Sequence, residues 1–207
     1  MRFPWRPAAR VRKQWELEPI TSQTLSPDAE VGAPVVGALV YRGVSSAELE
    51  APVTRLAARL RARVVLVGAE IGALHAVEPS RTVVADADPT TAPVLDYLVV
   101  PGGLGWKQVI DDRDIRGWLA RAGEDARGIL AISTGSLLLA SVGRLAGRNA
   151  TGHWLAEDDL AALGARVEHV RTTNDEMGRV VTASGVLAAL STIDDLVDSA
   201  QWSQRPT

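Results

Sequence analysis

Short apolar runs typical of β-strands alternate with helical runs over most of this chain. Most strand runs are followed by a helix before the next strand, an order that favours parallel strands joined by crossover helices. The alternation therefore predicts a mostly parallel sheet with helices on both faces. The predicted strands are 35–41, 64–67, 97–100, 128–132, 167–170 and 179–183, the predicted helices are 46–61, 112–122, 137–142, 157–163 and 186–199, and a hairpin-like region covers 74–87.

Length and composition limit the organisation of the chain. Its 207 residues suit one domain, predicted at 35–200, with an N-terminal extension at 1–34 and a C-terminal tail at 201–207. The extension is expected to be irregular from Glu18 to Pro34. Its basic opening, between Arg2 and Lys13, fits either docking on an acidic partner or membrane surface, or an arm that is flexible or packs against another subunit.

Charge and hydropathy limit the partners. The net charge of −3 and the lack of a helix-turn-helix segment predict no nucleic-acid partner. No apolar run approaches the ~20 residues of a membrane span, so we expect no membrane partner and a cytoplasmic location. The chain has no cysteine and only three histidines, which excludes thiol catalysis and makes a transition-metal site improbable.

The apolar run of the strand predicted at 128–132 ends at Ser133, and a run typical of a helix follows at once. Such a sharp strand-to-helix turn exposes the side chain of the turn residue above the first N–H groups of the helix. That position favours negative charge on a nucleophile or a bound molecule. Ser133 is therefore the first candidate site residue.

Two further segments supply candidates at the carboxyl ends of strands, where ligands bind in such sheets. Gly102 and Gly103 follow a strand, and consecutive glycines let main-chain N–H groups approach a ligand as an oxyanion site, or simply form a turn. Ser45 and Glu48 have the spacing of a capping box, in which Glu48 folds back onto the helix start. The functional alternative directs the Glu48 carboxylate at Ser133 as a proton donor or acceptor.

Histidine and tryptophan side chains complete the candidate set. His153 lies in a turn before a predicted helix, where a histidine commonly makes a local hydrogen bond or faces solvent. It would serve as a base for Ser133 only if a ring nitrogen reached the hydroxyl, and no orienting acid is evident in the sequence. His75 and His169 are interpreted as structural. Trp106 and Trp154 form either an apolar wall for a substrate or part of the core.

Three motifs appear in a fixed order: Pro101-Gly102-Gly103, Ser133-Thr134-Gly135 and Thr151-Gly152-His153-Trp154. In this respect the chain resembles the DJ-1/PfpI superfamily, and in particular its isonitrile hydratase-like branch. The resemblance covers about residues 35–197 and implies a flavodoxin-like three-layer α/β/α sandwich that pairs as a homodimer.

The resemblance also implies roles for individual residues. Glu48 matches the acidic residue that contacts the nucleophile, Gly103 and the Thr134 N–H match the oxyanion donors, and His153 matches a pocket histidine. Ser133 stands where the family carries a reactive cysteine, and Ser191 where many relatives carry aspartate. A serine alkoxide is far harder to form than a thiolate, and Glu48 alone is too weak a base to form it.

Three hypotheses about function follow. The first is a cofactor-independent lyase or hydratase for a small organic substrate, with acid-base catalysis at Glu48 and an oxyanion site at Ser133, Thr134 and Gly103. The second is a small-molecule-binding protein without catalysis. The third is an engineered Cys-to-Ser form of a thiol-dependent enzyme.

Overall fold

A six-stranded sheet forms the centre of the molecule in the computed structural model. The model describes residues 18–27, 29–30, 32–72, 74–77, 81–175, 178–199 and 202, with the main chain alone at 74–77. The strand order is β2-β1-β5-β6-β10-β9, and only β9 runs antiparallel to its neighbour. The central strands are β1 (Val35–Leu39), β2 (Arg63–Val67), β5 (Tyr97–Val100), β6 (Gly128–Ile132), β9 (Thr172–Asn174) and β10 (Val180–Ala183).

Helices cover the sheet in two groups. One group packs α2 against α1 and α7, and the other packs α5 against α3, α4 and α6. Their bounds are α1 Ser22–Leu25, α2 Ser46–Leu60, α3 Trp106–Val109, α4 Arg113–Asp125, α5 Gly135–Ser141, α6 Glu157–Ala162 and α7 Val186–Asp198. The strands between these layers are buried almost throughout, as continuous apolar strands of a parallel sheet should be. The predicted three-layer α/β/α sandwich is confirmed.

Small elements complete the chain. The predicted hairpin consists of β3 (Leu74–Val77) and β4 (Arg81–Val84), which pair antiparallel outside the main sheet. A second pair, β7 (Asn149–Ala150) and β8 (Arg166–Val167), is parallel, and a 3₁₀ turn spans Trp154–Ala156. No helix in the described ranges is both long and apolar enough to cross a membrane.

The chain outside 35–200 is less irregular than its sequence predicts. Ile20 is buried and forms a β-bridge with Val83 of the hairpin, while Leu25 is buried because helix α1, which carries it, packs against β2 and α2. Trp202, predicted to lie in a tail, is fully buried. Its ring stacks on Tyr97 with centroids 5.3 Å apart, and its indole N–H donates to the Gly178 carbonyl at 3.1 Å.

Trp202→Ala is expected to lower the free energy of unfolding by about 3–5 kcal/mol, because it leaves a cavity beside Tyr97 and Gly128, where the large buried ring packs. Trp154→Ala is the matched control, since Trp154 is 70% exposed. Urea titrations of both variants measure the difference. Equal effects of the two substitutions would show that Trp202 is not part of the core.

Candidate functional site

Ser133 occupies the strained turn that the sequence predicts between β6 and α5. Its φ is +57°, a left-handed conformation that is uncommon for a residue with a side chain. The Ser133 N–H donates to the Ala183 carbonyl at 2.7 Å, which ties the turn to the neighbouring strand β10. The side chain is only 4% exposed. The turn therefore presents the hydroxyl to an interior surface in a fixed orientation.

Gly135, next to the Ser133 turn, lets the start of helix α5 approach the end of strand β5 closely. A Cβ placed on Gly135 would lie 2.0 Å from the Val100 carbonyl oxygen, so only glycine fits where α5 begins beside the end of β5. Pairing of Val100 with Ala131 in the parallel register brings these two strand ends together. The Pro101-Gly102-Gly103 segment consequently lies directly beside the Ser133 turn.

Glu48 is directed into the site and not back onto its own helix. Ser45 is the N-cap of α2, and its hydroxyl accepts the Glu48 N–H at 3.4 Å. The other half of a capping box does not form, because the Ser45 N–H donates to the Gly102 carbonyl at 2.8 Å. The Glu48 carboxylate instead accepts the Gly102 N–H at 2.9 Å and hydrogen-bonds the Ser133 side chain.

Burial controls the protonation of Glu48. Loss of solvent raises the pKa of this carboxyl above its ordinary value, while the hydrogen bonds from Gly102 and Ser133 pull it down and only partly compensate. The acid form is thus more populated at a given pH than it is for a glutamate in water. A carboxyl whose pKa is raised keeps its proton to a higher pH, and it can therefore act as a proton donor before it acts as an acceptor.

The main-chain N–H groups available to a bound molecule differ from those that the sequence predicts. The Gly103 N–H, predicted to be free for an oxyanion, donates to Thr134 Oγ1 at 2.9 Å. At the start of α5, the Ser136 and Leu137 N–H groups bond the carbonyls of Ser133 and Thr134. The Thr134 and Gly135 N–H groups, at residues that the structure describes fully, have no main-chain acceptor. They are the available donors in this turn.

A buried polar chain holds Thr151, two residues before His153. The Ser136 hydroxyl donates to the Thr151 carbonyl at 2.8 Å, and the Thr151 N–H donates to Thr182 Oγ1 at 2.8 Å. His153 Nδ1 accepts the Leu155 N–H at 3.2 Å, so the neutral ring carries its proton on Nε2. The ring is accordingly placed as a donor, which argues against the alternative in which it is the base for Ser133.

A cavity of about 410 Å³ joins these groups. Among the predicted site residues, its lining includes Glu48, Gly103, Trp106, Ser133, Thr134 and His153. The lining also includes Gly43, Val44 and Ser45, from the turn before Glu48 that the sequence places at the carboxyl end of a strand. The sequence did not predict the other lining residues, which are Leu104, Lys107, Leu155, Ala156 and Asp159. They lie on loops and first helical turns with no distinctive motif, and only the fold brings them together.

Several predicted residues lie elsewhere. Trp154 is not a cavity wall: its ring stacks on His153 and is 70% exposed, because the 3₁₀ turn directs it outward and Leu155 lines the cavity instead. Gly102 lies behind the cavity as the donor to Glu48. Ser191 bonds the Ala188 carbonyl within its own helix.

Of the two remaining histidines, His169 is not among the residues that line the cavity. His169 is an exposed partner of Glu157, and the His75 side chain lies outside the described residues. No cluster of three or more His, Asp or Glu side chains able to hold a metal ion is found within the described ranges.

The fold and the Ser133 turn define an α/β/α protein with a strand-turn-helix elbow that carries a hydroxyl. The chain belongs to the DJ-1/PfpI family, because the model of that family matches residues 36–199. The predicted family is therefore confirmed over nearly the whole domain.

Individual relatives agree with this membership. The chain is 32% identical over 179 residues to an isonitrile hydratase from Pseudomonas putida, covering 82% of this chain and 75% of the relative. It is similar to a ThiJ/PfpI family protein from Pseudomonas syringae, with a TM-score of 0.73, 27% identity, and 91% and 76% of the two chains covered. Similarity in fold extends to DJ-1 of Schizosaccharomyces pombe, with a TM-score of 0.65, 17% identity, and 81% and 94% coverage.

Glu48→Gln is expected to stabilise the protein increasingly as pH rises. Folding raises the pKa of Glu48, so the folded state binds the extra proton and stability falls as pH rises through the folded pKa. A glutamine amide keeps the acceptor for the Gly102 N–H but cannot ionise. Melting temperatures from pH 4 to pH 9 test this: the variant should match the parent at the acidic end and exceed it at the basic end. A constant difference across this range would contradict the buried environment of Glu48.

Proposed function

We propose that this protein is a cofactor-independent hydratase-like enzyme that adds water to a small isonitrile or a related electrophile. The observation that carries the proposal is the Glu48 carboxyl, buried at the wall of a cavity and hydrogen-bonded to Ser133 and the Gly102 N–H. Similarity to an isonitrile hydratase supports the choice of reaction. A neutral acid beside a small cavity is what protonation of an isonitrile carbon requires.

The proposed reaction needs one proton shuttle. Glu48 in its acid form gives a proton to the terminal carbon of R–N≡C, and that carbon becomes electrophilic. Water adds to the carbon through its oxygen, and the Glu48 carboxylate takes a proton from the added water. The resulting R–N=CH–OH rearranges to the formamide R–NH–CHO. One water is consumed and Glu48 is again protonated.

Ser133 supports this chemistry without a covalent step. Its hydroxyl bonds the Glu48 carboxyl and fixes the direction in which the proton moves. The Thr134 N–H, at the cavity wall, replaces the predicted Gly103 donor and orients the attacking water through one lone pair of its oxygen. A proton on His153 Nε2 supplies a further donor at the cavity wall. No thiolate or alkoxide is needed at any stage.

The cavity sets the size of the substrate. About 410 Å³ is near the lower end of the range of small-molecule sites. Val44, Trp106 and Leu155 supply apolar wall to the group that does not react. The predicted homodimer and cytoplasmic location remain predictions.

Glu48→Gln is expected to reduce kcat/KM for isonitrile hydration by about 10²–10⁴-fold, because the amide has no transferable proton. Proton NMR of formamide formation measures the rate, with an aryl and an alkyl isonitrile as substrates. Asp159→Asn, at another cavity carboxylate, is the control and should retain most of the rate. A parent protein that forms formamide no faster than buffer would overturn the proposed function.

Ser133→Ala distinguishes the proposed proton shuttle at Glu48 from a covalent mechanism in which Ser133 is the nucleophile. Loss of one hydrogen bond to Glu48 should lower kcat by about 10–10²-fold, whereas loss of an essential nucleophile would abolish turnover. Mass spectrometry of the parent protein during turnover should detect no adduct on Ser133. An adduct at that residue, together with an inactive Ser133→Ala variant, would contradict the proposed proton shuttle.

A second candidate, a non-catalytic binding protein, is favoured by one observation, the hydroxyl at the elbow position. Under this alternative, isonitriles or other small molecules raise the melting temperature and are recovered unaltered. The same NMR samples distinguish the two functions, since binding without product supports the second and product formation excludes it.

A further inference from the structure

The peptide group between Pro101 and Gly102 is hydrogen-bonded on both of its sides. The Tyr41 hydroxyl donates to the Pro101 carbonyl oxygen at 3.0 Å. The Gly102 N–H donates to Glu48 Oε2 at 2.9 Å. Because this carbonyl and this N–H belong to a single planar peptide unit, a continuous row of hydrogen bonds runs from a buried phenol to the Glu48 carboxyl.

Close packing prevents this peptide from turning away. A Cβ on Gly102 would lie 2.6 Å from Glu48 Oε2 and 2.7 Å from Thr134 Oγ1. On the opposite side, a Cβ on Gly135 would lie 3.0 Å from the carbonyl carbon of Pro101. Tyr41 itself is only 4% exposed. The Tyr41 bond is buried and the Gly102 bond is partly buried at the cavity wall, and the packing around the peptide holds both bonds in place together.

A peptide whose carbonyl accepts a hydrogen bond becomes a stronger N–H donor, because the first bond polarises the unit. A bond from such a donor strengthens most when its acceptor is ionised. We propose that Tyr41 is a positioning residue of this site, which holds and polarises the Pro101–Gly102 peptide so that the Gly102 N–H stabilises the ionised form of Glu48. The effect on the Glu48 charge rests on geometry, and its consequence for turnover rests on the proposed function.

The surrounding charges are compatible with this role. Burial, and secondarily the nearby Glu48, raise the pKa of Tyr41 well above its ordinary range, so the phenol remains a donor throughout the working pH range. The Gly102 bond acts in the opposite direction to burial on the pKa of Glu48. The other titratable groups lining the cavity are His153, Lys107 and Asp159, and a change at Tyr41 leaves all three in place.

The test is a direct titration of Glu48 in Tyr41→Phe, which removes one hydroxyl and keeps the ring. Carbon-13 NMR of glutamate side-chain carboxyls reports the titration, and Glu48→Gln assigns the signal. Loss of polarisation weakens a bond that favours the ionised form, so the Glu48 pKa should rise by about 0.5–1 unit. An unchanged Glu48 pKa in a folded variant would overturn the proposal.

Tyr97→Phe is the matched control. The Tyr97 hydroxyl also donates to a main-chain carbonyl, that of Trp202 at 2.7 Å, but at the opposite end of the sheet. It should leave the Glu48 titration unchanged even if it lowers the melting temperature. An equal pKa shift in both variants would assign the effect to general loosening and contradict the role of Tyr41.

A second variant, expected to shift the Glu48 pKa in the opposite direction, tests the proposal even if Tyr41→Phe does not fold. The chain has only two tyrosines, so 3-fluorotyrosine incorporated into the Tyr97→Phe protein replaces Tyr41 alone. Its more acidic phenol is a stronger donor and should lower the Glu48 pKa. A shift in the same direction as in Tyr41→Phe, or no shift, would refute the proposal. If the titration shifts as expected but no isonitrile is hydrated, the proposed function fails and the role of Tyr41 stands.

Discussion

The hydrogen bond from the Gly102 N–H to the Glu48 carboxyl is the interaction on which the site depends. It joins the first turn of α2 to the end of β5, and the Ser45 N–H closes the junction from the other direction by donating to the Gly102 carbonyl. Neither bond tolerates a side chain at Gly102. Once the junction forms, the Glu48 carboxyl is buried beside the Ser133 turn, and its protonation is set by the balance between lost hydration and these donors.

This balance explains why a serine suits the elbow. A thiol at such a turn gains its reactivity by ionising, whereas a hydroxyl stays neutral in the same surroundings. The neutral hydroxyl still bonds Glu48, and the strained backbone keeps it directed at the cavity. Under the proposed function, Glu48 and not Ser133 therefore carries the acid-base step. That is the arrangement expected of proton-shuttle chemistry, in which the group that moves a proton and the group that orients it are different residues.

Particular residues separate what was predictable from what was not. The Ser133 turn was predictable because an apolar strand followed at once by a helix leaves no other local geometry. The direction of Glu48 was not, since the same spacing fits a carboxylate that folds back onto the helix start and one that is directed at Ser133. The Gly102 carbonyl takes the Ser45 N–H and so excludes the capping box. The prediction of Gly103 as a free donor was wrong because the Thr134 hydroxyl accepts its N–H. The prediction of Trp154 as a cavity wall was wrong because, in the 3₁₀ turn, Leu155 and not Trp154 faces the cavity.

The sequence by itself determined the layered α/β architecture, the main alternation of strands and helices, and the family, because hydrophobic periodicity and turn residues act over short distances along the chain. It did not predict the short strands β7 and β9, and the strand predicted at 167–170 is reduced to β8 at Arg166–Val167, outside the main sheet. Tertiary structure alone decided which donors remain available, how the Glu48 carboxyl titrates, and that Tyr41 and Trp202 belong to the packed interior. These properties arise from contacts between segments far apart in the chain, where a shift of one hydrogen bond changes the partner of every neighbouring group.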